Sequence, residues 1–424
     1  MLSLLKIYMK NLLKSIKTIW WRIKSITAIY YYGNPSSKLK VVGVTGTNGK
    51  TTTATLLYKI SRELGHKAGL ISTVENIING RIVEHGVTPT TPDSIGLTKL
   101  FYQMVKDGCE YVFMEVSSHA LDQNRVLGIN FTGGIFTNLT QDHLDYHKSM
   151  ENYFNAKKKF FKMIPEEGFA ISNIDDEHGK LMLDGIKAKK YTYGFEKDSD
   201  FKGEIVKLDF FGFELKISLG DQVAKLVKTK LVGKFNTYNI LAVWSACKLL
   251  CFDMDKVNKI LENITPPSGR FQNFTAKNGV LVIVDYAHTP DALENVLSAT
   301  QKIKTENTKI ISVFGCGGDR DPLKRPIMGK IGAINSDIAI FTSDNPRSED
   351  PDKIIEQMKE GLSSEDLKKV KTIPNRHEAI LESVKLAHSG DIILVAGKGH
   401  EDYQIIKGVK SHFDDMEELK KAFQ

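Results

Sequence analysis

The sequence predicts an α/β chain: a basic amphipathic helix followed by two units built on largely parallel sheets. Three observations predict it. Short apolar, β-branched runs alternate with longer segments of helical period, the pattern of a parallel sheet covered on both faces. One of these runs leads into a Gly-rich turn and then a helix. Polar clusters recur just past the apolar runs, where strands would end. The 424 residues fit two or three domains at roughly 150 residues each. Hydrophobic and charged fractions of 41% and 26% are those of a globular chain with material for more than one core.

The net charge of +7 is unevenly placed. No Asp or Glu precedes Glu63, whereas Lys6, Lys10, Lys14, Lys17, Arg22, Lys24, Lys38 and Lys40 all lie upstream. The excess therefore points to a special N-terminal segment and not to a nucleic-acid partner. Four cysteines are too few for a disulfide scaffold and none has zinc-site spacing, in keeping with a reducing cytoplasm. Cys247 and Cys251 sit in an apolar helical pattern, as packing residues would.

Residues 2–31 carry Lys6, Lys10, Lys14 and Lys17 at helical spacing, with Leu5, Leu12, Ile16, Ile19 and Ile23 opposite and Trp20, Trp21 and Tyr30–Tyr32 added. Lysines interrupt every apolar run well short of the ~20 residues of a membrane span, and no signal-peptide core or cleavage site is present. Two readings stand level: residues 1–33 lie on an anionic membrane surface, or the helix docks on the protein's own body. The breaker cluster Gly33-Asn34-Pro35-Ser36-Ser37 ends it.

The first unit begins with a buried strand over 39–45 and a helix over 51–64. Strands follow at 111–116, 133–137 and 169–173, with helices at 95–106 and 153–163 between them. Residues 203–208, 213–218 and 224–231 alternate like antiparallel hairpins at a sheet edge, and 236–250 returns to helix. Ile264-Thr265-Pro266-Pro267-Ser268-Gly269 is the linker candidate. A second α/β pattern follows, with strands at 281–285, 310–314, 338–342 and 392–396. The expected division is 1–38 (basic helix), 39–265 (central P-loop ATPase unit) and 266–424 (Rossmann-like unit).

The run Thr45-Gly46-Thr47-Asn48-Gly49-Lys50-Thr51-Thr52-Thr53 is a phosphate clamp in the required strand–loop–helix context. Lys50 can reach terminal phosphates and Thr51 can ligate Mg²⁺. The loop is a short variant, because Val44 stands where the general pattern has Gly. Glu115 ends one strand and His143 follows another; a carboxylate and an imidazole so placed can serve Mg²⁺ or its waters. The second unit places Asp285–Asp291, Gly315–Arg320, Ser343–Arg347 and Gly397–Glu401 at four strand ends. Singly each is an ordinary loop; four in one topological place argue for a ligand site.

Taken in order, the motifs resemble those of the Mur ligases, and most nearly the MurE type, which adds the third amino acid to UDP-MurNAc-L-Ala-D-Glu. The resemblance rests on Gly46–Thr52, Thr90–Asp93, Glu115–His119, Asp142–His147, Asp285–Asp291 and Gly397–Gln404, and runs from Gly43 to about Gln404. It implies ATP-driven formation of an acyl phosphate on the D-Glu carboxylate, followed by attack of an amine. It further implies that Lys50, Glu115, His143, Lys157 and Arg270 are catalytic. Lys157, in Tyr153-Phe154-Asn155-Ala156-Lys157, would be carbamylated by CO₂ and join Thr51, Glu115 and His143 in serving Mg²⁺. Gly46, Thr47, Asn48, Gly49, Lys50, Thr51, Thr52, Asn236, Asn239, Asp285 and His288 would bind ATP. Thr90, Thr91, Ser117, Gln123 and Arg125 would contact the muramoyl dipeptide acceptor.

The segment Asp344-Asn345-Pro346-Arg347 resembles the recognition motif for meso-diaminopimelate, with Arg320, Gly397 and Glu401 as further contacts. A guanidinium pairs bidentately with the second carboxylate that lysine lacks. The family also has an N-terminal uridine-gripping domain of about a hundred residues; only some forty residues precede the first body strand here. The acceptor's UDP group is therefore open. Competing readings are a related ligase of the polyglutamate or pseudomurein type and a non-catalytic ATP-binding homologue. The expected location is the cytoplasm, at the inner membrane surface if the basic helix binds lipid.

Overall fold

The computed structural model describes residues 19–85, 89–209 and 212–424. Lys6, Lys10, Lys14 and Lys17 lie outside the described residues. Residues 19–32 are helical, and Gly33, at φ 70°, ends the helix where the breaker cluster predicts.

The first sheet contains β1 (Lys40–Thr45), β2 (Ala68–Ile71), β3 (Glu75–Ile78), β4 (Arg81–His85), β5 (Tyr111–Glu115), β6 (Phe131–Phe136), β7 (Phe169–Asn173), β8 (Lys189–Gly194), β9 (Phe201–Asp209), β10 (Gly212–Leu219) and β11 (Lys225–Thr229). Its order is β11-β10-β9-β8-β7-β6-β1-β5-β2-β3-β4. The run from β9 to β2 is parallel, while β9-β10-β11 and β2-β3-β4 are antiparallel at the two edges. The hairpins expected after residue 201 are therefore an edge of this sheet. The β3–β4 hairpin was not anticipated, although its Asn79-Gly80 turn, with φ 48° and 89°, is a strong hairpin signal.

Strand period explains the layers. Val42, Val44, Tyr111 and Phe113 point to one side, into a core shared with the helices Lys50–Glu63 and Lys234–Leu249. Val41, Val112 and Met114 point to the other, against Ser94–Lys106 and Met150–Lys162. Gly43 lets the second of these helices approach: a Cβ there would sit 2.6 Å from Phe160 Cζ.

The second sheet comprises β12 (Gln272–Thr275), β13 (Leu281–Asp285), β14 (Ile310–Phe314), β15 (Ile338–Phe341), β16 (Val370–Thr372) and β17 (Ile392–Ala396), ordered β12-β13-β17-β14-β15-β16. Only β12 is antiparallel. Ile392 and Leu394 face one core and Ile393 and Val395 the other, so near-continuous apolar strands are buried on both faces. A two-stranded ribbon, β18 (Tyr403–Ile406) and β19 (Val409–His412), follows. Residues 262–271 connect the two sheets without regular structure.

Phe160 is fully buried between β1, β6 and its own helix. Phe160→Ala is expected to destabilise the first unit by about 3–5 kcal/mol, read as a lower denaturant midpoint.

Candidate active site

The loops after β1, β5, β6, β13, β14, β15 and β17 converge on one cleft of about 530 Å³. All seven strands bring their carboxyl ends to it, as parallel sheets do at ligand sites.

The loop after β1 forms its floor. Gly49 is left-handed at φ 84°, and a Cβ on Gly46 would lie 1.8 Å from Thr137 Oγ1. Both positions need glycine. Thr137 donates to the Asn48 carbonyl at 2.6 Å, and Asn138 Oδ1 accepts from the Asn48 amide at 2.8 Å. The end of β6 thereby sets the curve of the loop, and the helix Lys50–Glu63 opens toward the cleft with its first amides.

Two lysines meet under this loop. Lys50 Nζ donates to the Gly46 and Thr47 carbonyls at 2.9 and 2.7 Å. Lys157 Nζ donates to the same Gly46 carbonyl at 2.7 Å and lies 4.4 Å over the Tyr153 ring. Burial lowers the pKa of both amines; Lys50 pushes Lys157 down further, while Glu115 and Asp142 act against the shift on Lys50. Lys157, 1% exposed, is buried unlike the adjoining Lys158 and Lys159.

Glu115, at the end of β5, accepts from the Thr73 amide at 2.8 Å and lines the cleft. Asp142 and His143 follow β6, with His143 Nε2 3.3 Å from Asp142 Oδ2. Burial opposes ionisation of Asp142, but His143, Lys324 and His288 outweigh it and hold its carboxyl below the usual range. Burial lowers His143 to about 3, His288 to about 4 and His400 to about 3, so these rings are neutral at pH 7. Among the described residues no three His, Cys, Asp or Glu side chains form a ready metal cluster. Thr51 and Glu115 nevertheless offer hard oxygen donors beside the loop, and these suit Mg²⁺. Lys157 suits it only once its amine has become a carbamate.

Thr90, Ser117 and Arg125 line the cleft. Thr91 and Gln123 stand behind them. Thr91 Oγ1 donates to the Glu115 carbonyl at 3.0 Å and accepts from the Ser117 amide at 3.1 Å. Gln123 Oε1 accepts from Arg125 Nε at 2.9 Å, and Arg125 also donates to the Thr91 carbonyl at 2.8 Å. Gly46, Thr52, Asn236, Asn239 and Asp285 do not line the cleft. Asn239 Oδ1 would be 2.5 Å from a Cβ at Gly49, and Asp285 accepts from the Phe271 and Ala287 amides at 2.7 and 2.8 Å.

The connector closes the cleft from the side. Arg270 Nη2 donates to Thr51 Oγ1 at 3.0 Å, and its guanidinium lies 4.6 Å from the Tyr286 ring centre. Asn48 Nδ2 donates to Asp291 Oδ2 at 2.5 Å from the other side.

The far rim belongs to the second sheet. Arg347, left-handed at φ 53°, donates to the Gly318 carbonyl at 2.7 Å. Glu401 accepts from Asn345 at 2.8 Å and from Lys398 at 3.2 Å. A Cβ on Gly397 would lie 2.7 Å from Asp344 Oδ2, which fixes glycine there. Burial favours the neutral form of Asp344, yet Lys398 and Arg376 hold its carboxyl ionised; burial and Asp344 together push Glu401 up. Pro346 holds the backbone turn against Gly318 and does not line the cleft.

Sequence reasoning missed several residues of this site. Thr73, Lys324 and Asp321 line the cleft. Lys324 donates to the His288 carbonyl at 2.8 Å, and its place just past Gly317-Gly318-Asp319-Arg320 was the available signal. Arg376 had none. It sits on an ordinary amphipathic helix, yet it is fully buried. It binds both Asp415 oxygens at 2.7 Å, the Ser343 carbonyl at 3.3 Å and the Ala396 carbonyl at 3.0 Å. These are the residues just before Asp344 and Gly397.

A phosphate loop facing a mixed acidic and basic rim across one cleft defines a two-unit nucleotide-dependent ligase. Residues 44–247 match the Mur ligase middle domain and residues 269–399 the Mur ligase glutamate ligase domain. A UDP-N-acetylmuramoyl-L-alanyl-D-glutamate–2,6-diaminopimelate ligase of Parabacteroides distasonis is 52% identical over 393 residues, covering 93% of this chain and 79% of that protein. A solved structure of a ligase with the same name is 34% identical with a TM-score of 0.61, over 91% of this chain and 78% of that one. A folylpolyglutamate synthase of Mycobacterium tuberculosis, complexed with ADP and AMPPCP, shares the fold at a TM-score of 0.73 and 17% identity, over 89% of this chain and 92% of its own. The chain belongs to the Mur ligase family.

The buried histidines fix the sign of one pH dependence. Between their depressed pKa values and about 6.5 the unfolded chain binds protons that the native state refuses, so stability falls as pH drops. His288 and His400 each contribute up to about 1.4 kcal/mol per pH unit in that window, and His143, whose side chain is 36% exposed, contributes less. Thermal melts at pH 7.5, 6.5 and 5.5 are expected to show the main loss between the last two.

Proposed function

We propose that this chain is an ATP-dependent, ADP-forming amide ligase that adds meso-diaminopimelate to the D-Glu carboxylate of a muramoyl-L-Ala-D-Glu precursor in peptidoglycan synthesis. The names of relatives at 50–52% identity support the reaction. The single observation that carries the choice of amine is the rim. Arg347, Arg320, Asp344 and Glu401 all line the same cleft as the phosphate loop. A substrate end bearing both an ammonium and a carboxylate matches that pairing, and lysine's distal amine alone does not.

Residues 39–265 would supply the phosphate side and residues 266–424 the amine side. Lys50 and the loop amides hold the phosphates, with Asn239 behind the loop and His288 across from it. Thr90, Ser117 and Arg125 hold the acceptor so that its carboxylate faces the γ-phosphate; Thr91 and Gln123 keep them in place. Phosphoryl transfer forms the acyl phosphate, the bound amine attacks its carbonyl carbon, and phosphate leaves. Asp344 and Glu401 hold the amino acid's ammonium end and the arginines its carboxylate, orienting the other amine toward that carbon. Arg270 reaches the loop from the connector and adds positive charge where phosphate charge develops. Mg²⁺, when bound, would neutralise phosphate charge. Thr51, Glu115 and His143 are the residues to hold it, joined by Lys157 as a carbamate. Burial supports that modification, because the neutral amine is the form that adds CO₂.

Arg347→Ala is expected to lose most diaminopimelate-dependent phosphate release, on the order of 100-fold in kcat/KM for one bidentate charged contact. Unchanged kinetics would refute the amine assignment. Screening acceptors with and without UDP in the same assay identifies the acceptor, and no turnover with any amino acid would favour a non-catalytic homologue. In ¹³CO₂-equilibrated protein a carbamate carbon resonance should appear and vanish in Lys157→Arg.

A further inference from the structure

The helix over residues 19–32 has two different faces. Its inner face is fixed to the body. Ser25 Oγ lies 2.7 Å from Ser94 Oγ and donates to the Asn124 carbonyl at 2.8 Å. Ala28 is buried, Tyr32 packs on Tyr102 at 5.4 Å between ring centres, and Lys24 reaches Asp93 at 3.5 Å. Ser25, Ala28 and Tyr32 are spaced by three and four residues, one side of a helix.

The outer face is apolar and bare. Ile19, Ile23, Ile26 and Tyr30 follow at intervals of four, three and four, and are 58%, 50%, 61% and 90% exposed. Trp20 and Tyr31 widen the stripe at 58% and 79% exposed. At about 100° per residue, Arg22 falls on one edge of the stripe and Lys24 on the other. The sequence continues the pattern upstream: Leu12 and Ile16 keep the same spacing, and no acidic residue occurs before Glu63. No described helix is long and apolar enough to cross a membrane.

We propose that this face is an interfacial anchor that lies on an anionic lipid bilayer. Isoleucines can enter the boundary of the acyl chains, Trp20, Tyr30 and Tyr31 suit the headgroup level, and Arg22 at the edge of the stripe meets lipid phosphates. A second copy of the chain fits the surface worse, because pairing the stripes would bring two acid-free basic segments together. The anchor is seated on the segments carrying Asp93 and Asn124, next to Thr91 and Arg125, so the helix adjoins the Arg125 side of the cleft. The inference does not depend on the assigned reaction.

The test is co-sedimentation of the full chain with vesicles of phosphatidylglycerol and phosphatidylcholine, or of phosphatidylcholine alone. Ile23→Asp/Ile26→Asp is compared in parallel; both sites are exposed, so circular dichroism should match the parent. We expect binding to the anionic vesicles that weakens with added salt, falls at least tenfold in the double variant, and is at least tenfold weaker on phosphatidylcholine. Absence of parent binding, equal binding of parent and variant, or equal binding to both vesicle types would overturn the proposal. So would light scattering that finds a dimer in the parent and a monomer in the variant, because the stripe would then be covered by a second copy.

Discussion

The carbonyl oxygen of Gly46 accepts from the amines of both Lys50 and Lys157 inside a buried pocket. A carbonyl dipole is a weak partner for two cations, and burial removes the water that would otherwise separate them, so the pKa of each amine is pushed down. An anion seated at the loop would favour the charged form again. Much else in the first unit serves to keep the pair in place. β1 and β6 pair so that Thr137 and Asn138 brace the loop, Gly43 admits the helix that carries Lys157, and Asn239 packs behind Gly49.

The second unit solves the opposite problem. Its rim gathers carboxylates and cations in nearly equal number, so no single sign dominates. Lys398 shows how closely this is balanced: its fully buried ammonium lies 3.2 Å from Glu401 and lowers the carboxyl pKa of nearby Asp344. The two units meet through the hydrogen bonds of Arg270 with Thr51 and Asn48 with Asp291, and through Val232 and Phe235, which pack on the second core. Both hydrogen bonds involve the phosphate loop or the first residues of its helix.

Much of this was legible in the sequence because parallel strands buried on both faces leave continuous apolar runs, and the loops after them carry the chemistry. The strands at Tyr111, Phe169, Leu281, Ile310 and Ile392 were visible for that reason. β2 was not, since four residues, Ala68–Ile71, are too few to show a period. The edge hairpin β3–β4 was hidden by its short, exposed second strand, although Asn79-Gly80 marked the turn. In the site, many cleft-lining residues fall in dense polar runs that mark strand ends. Thr73 and Arg376 reach the site through the fold alone. Of the two readings of the N-terminal helix, docking on the body holds for its inner face.

Arg376 and Asp415 illustrate a further consequence. Both are completely buried, and the arginine also serves two carbonyls that end neighbouring strands. Changing either residue alone strands a charge in the interior, and changing both to apolar residues still leaves two acceptors without donors. An exposed pair such as Lys368–Glu365, 71% and 76% exposed, carries no such tie. The two positions, thirty-nine apart in sequence, are therefore expected to be inherited as one unit, drifting together or not at all, while the surface pairs around them diverge freely between lineages.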